Sequence, residues 1–282
     1  MKAEHPVRQL CAAFEVKRSG YVAWRHAPAS DRARTDALLI AQIGVVHAQH
    51  KGRYGAPRIQ EELAAQGQRH GVKRIARLMQ SAGIQGLSPK RFVPQTTDSH
   101  HDQPIAPNLL AERPAPTGPN QTWVTDLTYV WTQEGWLYVA VILDLWSRCV
   151  AGWATGATLH ASLAGRALQM AIQHRRPSQG LLHHSDRGVQ YASGAYRAQL
   201  QAAGLAASMS RRGNPYDNAA MESFNATYKR ECVGLAAARG GYRTRAEAAD
   251  DFFDYVEKYY NRVRRHSSLG YQTPVDFENQ VN

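Results

Sequence analysis

The stretch that decides the fold is TWVTDLTYVWTQEGWLYVAVILDLWSRCVAGWAT, residues 122–155. It contains three runs rich in β-branched and aromatic residues, and the turn QEG at 133–135 separates the first run from the second. Such runs predict three successive strands of a meander. Five of the six tryptophans lie between Trp123 and Trp153, as expected for the core of a sheet.

Helices and short strands follow this meander. The pattern predicts a helix over about 159–175, a strand at 181–186, a helix near 194–203, a strand at 205–210 and a helix from about Asn218. The order βββαβαβα indicates an α/β fold, a mixed sheet flanked by helices. A last amphipathic helix, ending in a basic tail, is expected over 244–263.

The segment before the sheet is predicted to be helical. Residues 37–50 repeat apolar side chains at helical spacing, and two short helices are expected over 58–65 and 72–82, joined by a link that contains glycine. This pair is typical of a helix-turn-helix, although any short helical pair gives the same pattern. The basic residues off the apolar face of the second helix, where a recognition helix contacts DNA, are Lys73, Arg74 and Arg77.

Charge is distributed unevenly along the 282 residues. The net charge is +11, and residues 1–95 hold 16 Lys and Arg against 6 Asp and Glu, whereas residues 96–282 hold 18 against 17. A basic segment joined to a nearly neutral one indicates a polyanionic partner, most simply nucleic acid. A solvated basic face is the alternative.

Four segments are expected from these patterns. They are a basic helical, helix-turn-helix region at 1–90, a Pro-rich linker at 91–120, an α/β core at 121–240, and a C-terminal helix with a basic tail at 241–282. The three cysteines are widely separated, which indicates neither a disulfide framework nor a thiolate zinc site. The N-terminus has no apolar signal core, so we expect a cytoplasmic protein without a membrane partner.

Three acidic residues stand at informative places in this order. Asp126 lies within the first strand, Asp186 ends the fourth, and Glu222 lies in the first turns of a later helix, with 35 residues between it and Asp186. If the first and fourth strands are neighbours, the three carboxylates meet and repel one another unless cations are present. Hard cations prefer oxygen ligands, and two Mg²⁺ ions can promote displacement at a phosphodiester.

Several blocks of the sequence closely resemble one protein family. They are WVTDLTYV (123–130), HHSDRGVQY (183–191), GNPYDNAAMESFNATYKRE (213–231), YYNRVRRHSSLGYQTP (259–274) and, nearer the N-terminus, YGAPRIQEELAAQG (54–67) with VKRIARLMQSAGI (72–84). The family is that of bacterial insertion-sequence transposases of the IS-three type, downstream reading-frame product, with a retroviral-integrase-like core. The resemblance covers roughly residues 35–280.

This resemblance implies an RNase H-like fold in which Asp126, Asp186 and Glu222 are the DDE ligands of a two-metal Mg²⁺ or Mn²⁺ site. Lys229 matches a basic residue that follows the Glu in this family and is expected to contact terminal DNA phosphates, with a solvated lysine as the alternative. The tail combines aromatic with basic residues, which favours contact with an unpaired strand, although cations also suit a helix C-terminus. Its expected DNA-binding residues are Arg262, Arg264, Arg265 and His266.

The function expected is that of a DDE transposase that cleaves DNA at the element ends and performs strand transfer. Its partners would be double-stranded DNA, as terminal inverted repeats and target, and further copies of the chain in a synaptic complex. An upstream-frame partner or fusion is also possible within the family. One alternative is therefore a catalytically silent DNA-binding regulator or partner subunit, and a weaker one is a tyrosine-type recombinase.

Overall fold

Two compact units make up the chain, Met1–Gly86 and Leu87–Asn282. A computed structural model describes residues 5–28, 30–88, 104–211 and 218–280. Residues 91–103 of the predicted linker lie outside these ranges, and residues 104–120 contain turns but neither helix nor strand. None of the helices in the described ranges has both the length and the apolar character required to span a membrane.

The first unit is helical throughout its described part. Its helices are α1 (Val7–Ala13), α2 (Arg18–His26), α3 (Asp31–Gln49), α4 (Ala56–Ala65) and α5 (Val72–Ser81). Buried side chains of the last three helices, including Ile43, Ile59 and Ile75, form its core. The three predicted helices are therefore confirmed, and α3 begins earlier than expected because the Ser30 hydroxyl caps it by accepting the N–H of Ala33.

A five-stranded mixed sheet forms the centre of the second unit. The strands are β1 (Thr122–Thr132), β2 (Gly135–Asp144), β3 (Val150–Gly156), β4 (Leu182–Ser185) and β5 (Ala206–Met209), in the order β3-β2-β1-β4-β5. The first three strands pair antiparallel, which confirms the meander, and β4 and β5 continue the sheet in parallel beside β1. The predicted α/β fold is confirmed.

Helices cover both faces of this sheet. They are α6 (Ala161–Arg175), α7 (Val189–Ala192), α8 (Gly194–Ala202), α9 (Ala219–Tyr228), α10 (Gly234–Ala237), α11 (Arg245–Phe253) and α12 (Pro274–Asn279), with a short 3₁₀ turn at Ser267–Leu269. On one face α6 to α8 pack against Trp123 and Ile142, and on the other α9 and α11 pack against Val124 and Val141. Burial on both faces explains why β2 and β3 are almost continuously apolar.

The last predicted helix differs from the expectation in its winding. The helix expected over 244–263 is α11 followed by a π-helical segment, Asp254–Tyr260, and α9 likewise continues into a π-helical segment, Lys229–Val233. A π turn holds an extra residue, and here it directs Tyr255, Val256 and Tyr260 into the core. The apolar pattern alone did not distinguish this winding from a regular α-helix.

The contact between β3 and α6 yields a first prediction. A Cβ added at Gly152 would lie 2.5 Å from the carbonyl oxygen of Ala167 and 2.6 Å from the amide nitrogen of Ala171, both backbone atoms of α6. We expect Gly152→Ala to destabilise the second unit by about 3 kcal/mol, because α6 would have to move away from the sheet. Urea unfolding followed by tryptophan fluorescence measures this.

The matched control is Gly194→Ala, at the first residue of α8, where an added Cβ meets nothing within 4 Å. This variant should keep the wild-type unfolding midpoint or exceed it slightly. Equal midpoints for the two variants would show that α6 does not approach β3 as closely as the structure has it.

Candidate active site

Asp126 projects from β1 towards the face that α9 covers. Val124 and Val130 lie on the same face of β1 as Asp126 and pack with α9, whereas Trp123 lies on the opposite face and packs with α6 to α8. Asp126 is partly buried, and its carboxylate accepts two hydrogen bonds, from the Leu127 amide at 2.8 Å and from Nδ2 of Asn225 at 2.8 Å. Asp126 is thus the single charged residue on a strand face that otherwise carries threonine and valine.

Asp186 lies directly after β4. In the parallel pairing of β1 with β4, Val124 lies opposite His184, so two further residues along each strand lead to Asp126 and Asp186. The Gly188 amide donates to Oδ1 of Asp186 at 2.9 Å. The sheet register therefore brings Asp126, within β1, beside Asp186, just past the end of β4, as expected if the first and fourth strands are neighbours.

Glu222 is exposed in the first turn of α9. Asn225 lies three residues later on the same helical face and bonds Asp126, so Glu222 also faces the aspartates. Asn218 occupies the N-cap position but makes no capping bond, and its Nδ2 instead donates to the Thr125 carbonyl at 3.2 Å. These two asparagine contacts attach the start of α9 to β1.

Electrostatics connect the three acids. The pKa of Asp126 is raised to about 7, first by burial and then by the negative charges of Asp186 and Glu222, while the Leu127 amide and the Lys229 ammonium lower it. The buried Tyr191 hydroxyl also has a raised pKa, caused by burial and by the charges of Asp126 and Asp186. The three acids thus form a region of negative charge, and a cation beside Asp126 would stabilise its ionised carboxylate.

The side chains do not enclose a metal site as they stand. Within the described ranges, no three His, Cys, Asp or Glu side chains are grouped closely enough to hold an ion. Hydrogen bonds from Asn225 and from the Gly188 amide occupy one oxygen of Asp126 and one of Asp186. Binding a shared ion would therefore require small changes of rotamer at these carboxylates.

The basic residues expected to bind DNA from α5 have different surroundings. Lys73 and Arg77 are exposed and Arg74 is partly buried. Arg74 and Arg77 each donate to Asp36 of α3 at 2.7 Å, and these two hydrogen bonds lower the Asp36 pKa. The two arginines therefore also join α5 to α3 within the first unit.

The tail corrects part of the predicted DNA-binding set. Arg262 is exposed and Arg265 partly buried, but Arg264 is only 4% exposed and His266 only 6%. The Arg264 guanidinium forms two 2.8 Å hydrogen bonds with the buried Glu231 carboxylate. The expectation that Arg264 and His266 contact DNA is wrong for this structure, because their side chains lie inside the fold.

Glu231 is the residue of this region that the sequence interpretation missed. It lies in the π-helical segment after α9, is fully buried, and also accepts the Tyr255 hydroxyl at 3.2 Å. No sequence pattern pairs Glu231 with Arg264, because the two residues lie 33 positions apart. Lys229, two residues earlier, is partly buried beside Asp126, and its ammonium lies 5.0 Å from the centre of the Tyr129 ring.

Family models match both units. An HTH-like domain matches residues 33–92, and two integrase core domain models match residues 116–215 and 203–274. The protein named "Insertion element IS600 uncharacterized 31 kDa protein" of Shigella sonnei is 44% identical over 97% of this chain and 98% of its own length. The transposase InsF for insertion sequence IS3A of Escherichia coli (strain K12) is 39% identical over 99% and 96%, respectively.

Solved structures of lower similarity accompany these relatives. One is a cryo-electron microscopy structure of a simian T-cell lymphotropic virus intasome in complex with PP2A regulatory subunit B56 gamma, with a TM-score of 0.49 and 16% identity over 84% of this chain and 74% of that chain. Another is the HTLV-2 integrase catalytic core domain in complex with magnesium, with a TM-score of 0.45 and 14% identity over 57% and 98%.

The fold and the matching family models define an integrase-core polynucleotidyl transferase of the RNase H-like class, preceded by an HTH-like module. Its activity is DNA transposition of the DDE type, and the regulator and tyrosine-recombinase alternatives are not favoured. The chain belongs to the IS3 family of transposases.

Proposed function

We propose that Asp126, Asp186 and Glu222 are the catalytic carboxylates of this transposase. The observation that carries the proposal is the parallel pairing of β1 with β4, which sets Asp126, within β1, beside Asp186, just past the end of β4. The contact of Asn225 with Asp126 then fixes the face of α9 that bears Glu222. Three acidic residues from distant parts of the sequence thus point towards the same place in the fold.

The donor chemistry of these residues fits Mg²⁺ or Mn²⁺. All three offer carboxylate oxygens, which hard divalent cations prefer, and a cation would offset the repulsion that raises the Asp126 pKa. A bound pair of such ions would activate the attacking hydroxyl and stabilise the leaving oxygen of a phosphodiester. The role of the three side chains is to hold the divalent cations next to the scissile phosphate.

The other polar residues near this site orient the DNA. Lys229 lies close enough to Asp126 to influence its pKa, so its ammonium can contact a phosphate next to the scissile one. Because water or a DNA 3′-hydroxyl is the attacking group, the chain needs no nucleophilic side chain and forms no covalent bond to DNA. Alignment of the two DNA segments then supplies much of the rate.

DNA binding by the first unit completes the proposed function. Lys73, Arg74 and Arg77 on α5 face terminal inverted-repeat DNA, and Arg262 and Arg265 add phosphate contacts from the tail. Two ends and a target must be held together for strand transfer, so copies of this chain assemble in a synaptic complex. An upstream-frame partner or fusion would act in the same assembly.

The test uses the full chain with linear DNA that ends in the element's terminal inverted repeats. With Mg²⁺ or Mn²⁺ we expect cleavage that frees a 3′-hydroxyl, followed by joining to a second DNA, and neither product in EDTA. Denaturing gels of end-labelled DNA measure both products, and DNA without the repeats is the control.

Two outcomes would overturn the proposal. Metal-independent cleavage that leaves protein attached to DNA would indicate a tyrosine-type recombinase. Tight, specific binding of the ends with no metal-dependent cleavage would indicate a silent regulator.

A further inference from the structure

An aromatic patch lies near the turn of the β1–β2 hairpin. It consists of Tyr129, Trp131 and Trp136, and Trp131 and Trp136 are 59% and 41% exposed. The Trp136 ring meets the other two edge to face, with ring centres 4.9 Å from Tyr129 and 4.8 Å from Trp131. Single exposed aromatic residues are common, but three rings joined through Trp136 form a continuous apolar surface, which is typical of a binding site.

The pairing of the hairpin explains why these rings are exposed. Trp131 and Trp136 are direct cross-strand partners, and Tyr129 shares their face of the sheet. Closer to the centre of the sheet, Leu127 and Tyr138 on this face pack against the buried residues of α6 to α8. The aromatic patch therefore lies on the same face of the sheet as α6 to α8, but nearer the hairpin turn, beyond the part of the sheet that these helices cover.

The aromatic patch adjoins the candidate active site. The Lys229 ammonium lies 5.0 Å from the Tyr129 ring centre and is close enough to Asp126 that each alters the pKa of the other. Tyr129 and Trp131 follow Asp126 on β1 by three and five residues, about 10 and 17 Å at about 3.3 Å per residue. Because these offsets are odd, Tyr129 and Trp131 project from the opposite face of β1 to Asp126, and Lys229 is the side chain that lies near both the Tyr129 ring and Asp126.

We propose that the aromatic patch binds unpaired bases of the DNA end by stacking, while Lys229 holds a phosphate between these bases and the scissile bond. The proposal rests on the proposed function, which places the scissile phosphate at Asp126. Aromatic faces beside a cation are the means by which proteins bind single strands without reading sequence. With bases about 3.4 Å apart along a strand, the patch reaches those roughly three to five nucleotides from the scissile phosphate.

The test measures DNA binding without cleavage. In EDTA, the full chain binds two end duplexes, one fully paired and one with unpaired bases three to five nucleotides from the cleavage position, where 2-aminopurine reports stacking by loss of fluorescence. We expect Trp131→Ala to weaken binding of the unpaired end by about 5- to 150-fold and to abolish the fluorescence change. Binding of the paired end should stay within about twofold, and Trp131→Phe should retain most of the effect.

The matched control is Phe253→Ala. Phe253 is also an exposed aromatic residue with a lysine beside its ring, Lys258 at 5.8 Å, but it packs near Trp153 of the outer strand β3. This variant should bind both duplexes as the wild type does. Unchanged binding of the unpaired end by Trp131→Ala would overturn the proposal.

Loss of self-association by Trp131→Ala, with stacking unaffected, would also overturn the proposal and assign the patch to contact between copies of the chain. Because the readout needs no metal, it is independent of whether Asp126, Asp186 and Glu222 carry out cleavage.

Discussion

Replacing Asp126 or Asp186 with asparagine, or Glu222 with glutamine, is expected to reduce DNA cleavage and strand transfer by at least about 1,000-fold each. An amide keeps the shape of the carboxyl group but not its charge. A divalent cation therefore loses one of the carboxylate ligands that the β1–β4 pairing and α9 position. End-labelled DNA and Mg²⁺ measure the rates. Asp250→Asn, at an exposed position of α11, is the matched control and should keep wild-type activity.

Although Asp126→Asn should greatly reduce activity, it is expected to increase the stability of the folded protein at high pH. Since the folded pKa of Asp126 is raised from 3.8 to about 7, its contribution to stability is complete below pH 3.8 and is lost as the pH rises through 7. In EDTA at pH 8, Asp126→Asn should therefore be more stable than the wild type by up to about 4 kcal/mol, since the pKa shift spans about three units and each unit corresponds to about 1.4 kcal/mol. Thermal unfolding at pH 5 and pH 8 measures the difference, which should shrink at pH 5.

Metal addition provides the complementary measurement. Mg²⁺ should raise the melting temperature of the wild type at pH 8, because it binds the folded carboxylates, and should raise that of Asp126→Asn much less. Full activity in any of the three variants would remove that residue from the catalytic set. An Asp126→Asn variant that is less stable than the wild type at pH 8 would show that the carboxylate has a structural role.

The second large effect concerns the buried ion pair between Glu231 and Arg264. Arg264→Met leaves the Glu231 carboxylate buried without its guanidinium and should destabilise the second unit by about 3–5 kcal/mol. The pair joins the tail to the π-helical segment after α9, so its loss should also disturb Glu222 and Lys229. Urea unfolding followed by tryptophan fluorescence reports this unit, which contains five of the six tryptophans.

Two further variants test the physical reason. The double variant Glu231→Leu, Arg264→Met removes both charges and should recover most of the lost stability. Arg262→Met, two residues away and exposed, should change stability by less than about 0.5 kcal/mol. If Arg264→Met weakens DNA binding while its unfolding midpoint stays at the wild-type value, Arg264 is a DNA contact after all and the structural role assigned to it is wrong.

Much of the fold followed from local chemistry. The β-branched and aromatic runs after Asn120 predicted the meander, and apolar residues at helical spacing predicted α3 to α5, because each of these patterns is repeated over a whole element. The π-helical winding at Lys229–Val233 and Asp254–Tyr260 was not predicted, since it depends on which side chains the sheet leaves room to bury.

The tail shows most clearly where sequence reasoning failed. Arg262, Arg264 and Arg265 are nearly adjacent and of one chemical type, so the same role was expected of all three. The structure exposes Arg262 and buries Arg264, because the Arg264 guanidinium binds the carboxylate of Glu231, from a distant part of the chain. A partner 33 residues away leaves no periodic trace in the sequence.

By itself the sequence determined the α/β class, the basic helical module and the identity of three unusual acids, because these depend on composition, periodicity and motif. Only the tertiary structure decided that β4 pairs with β1 and that Asn225 holds α9 against Asp126. It also decided that Trp131 and Trp136 remain exposed beside the site. Strand order, register and burial arise from contacts between distant residues, whose free energies no local stretch of sequence encodes.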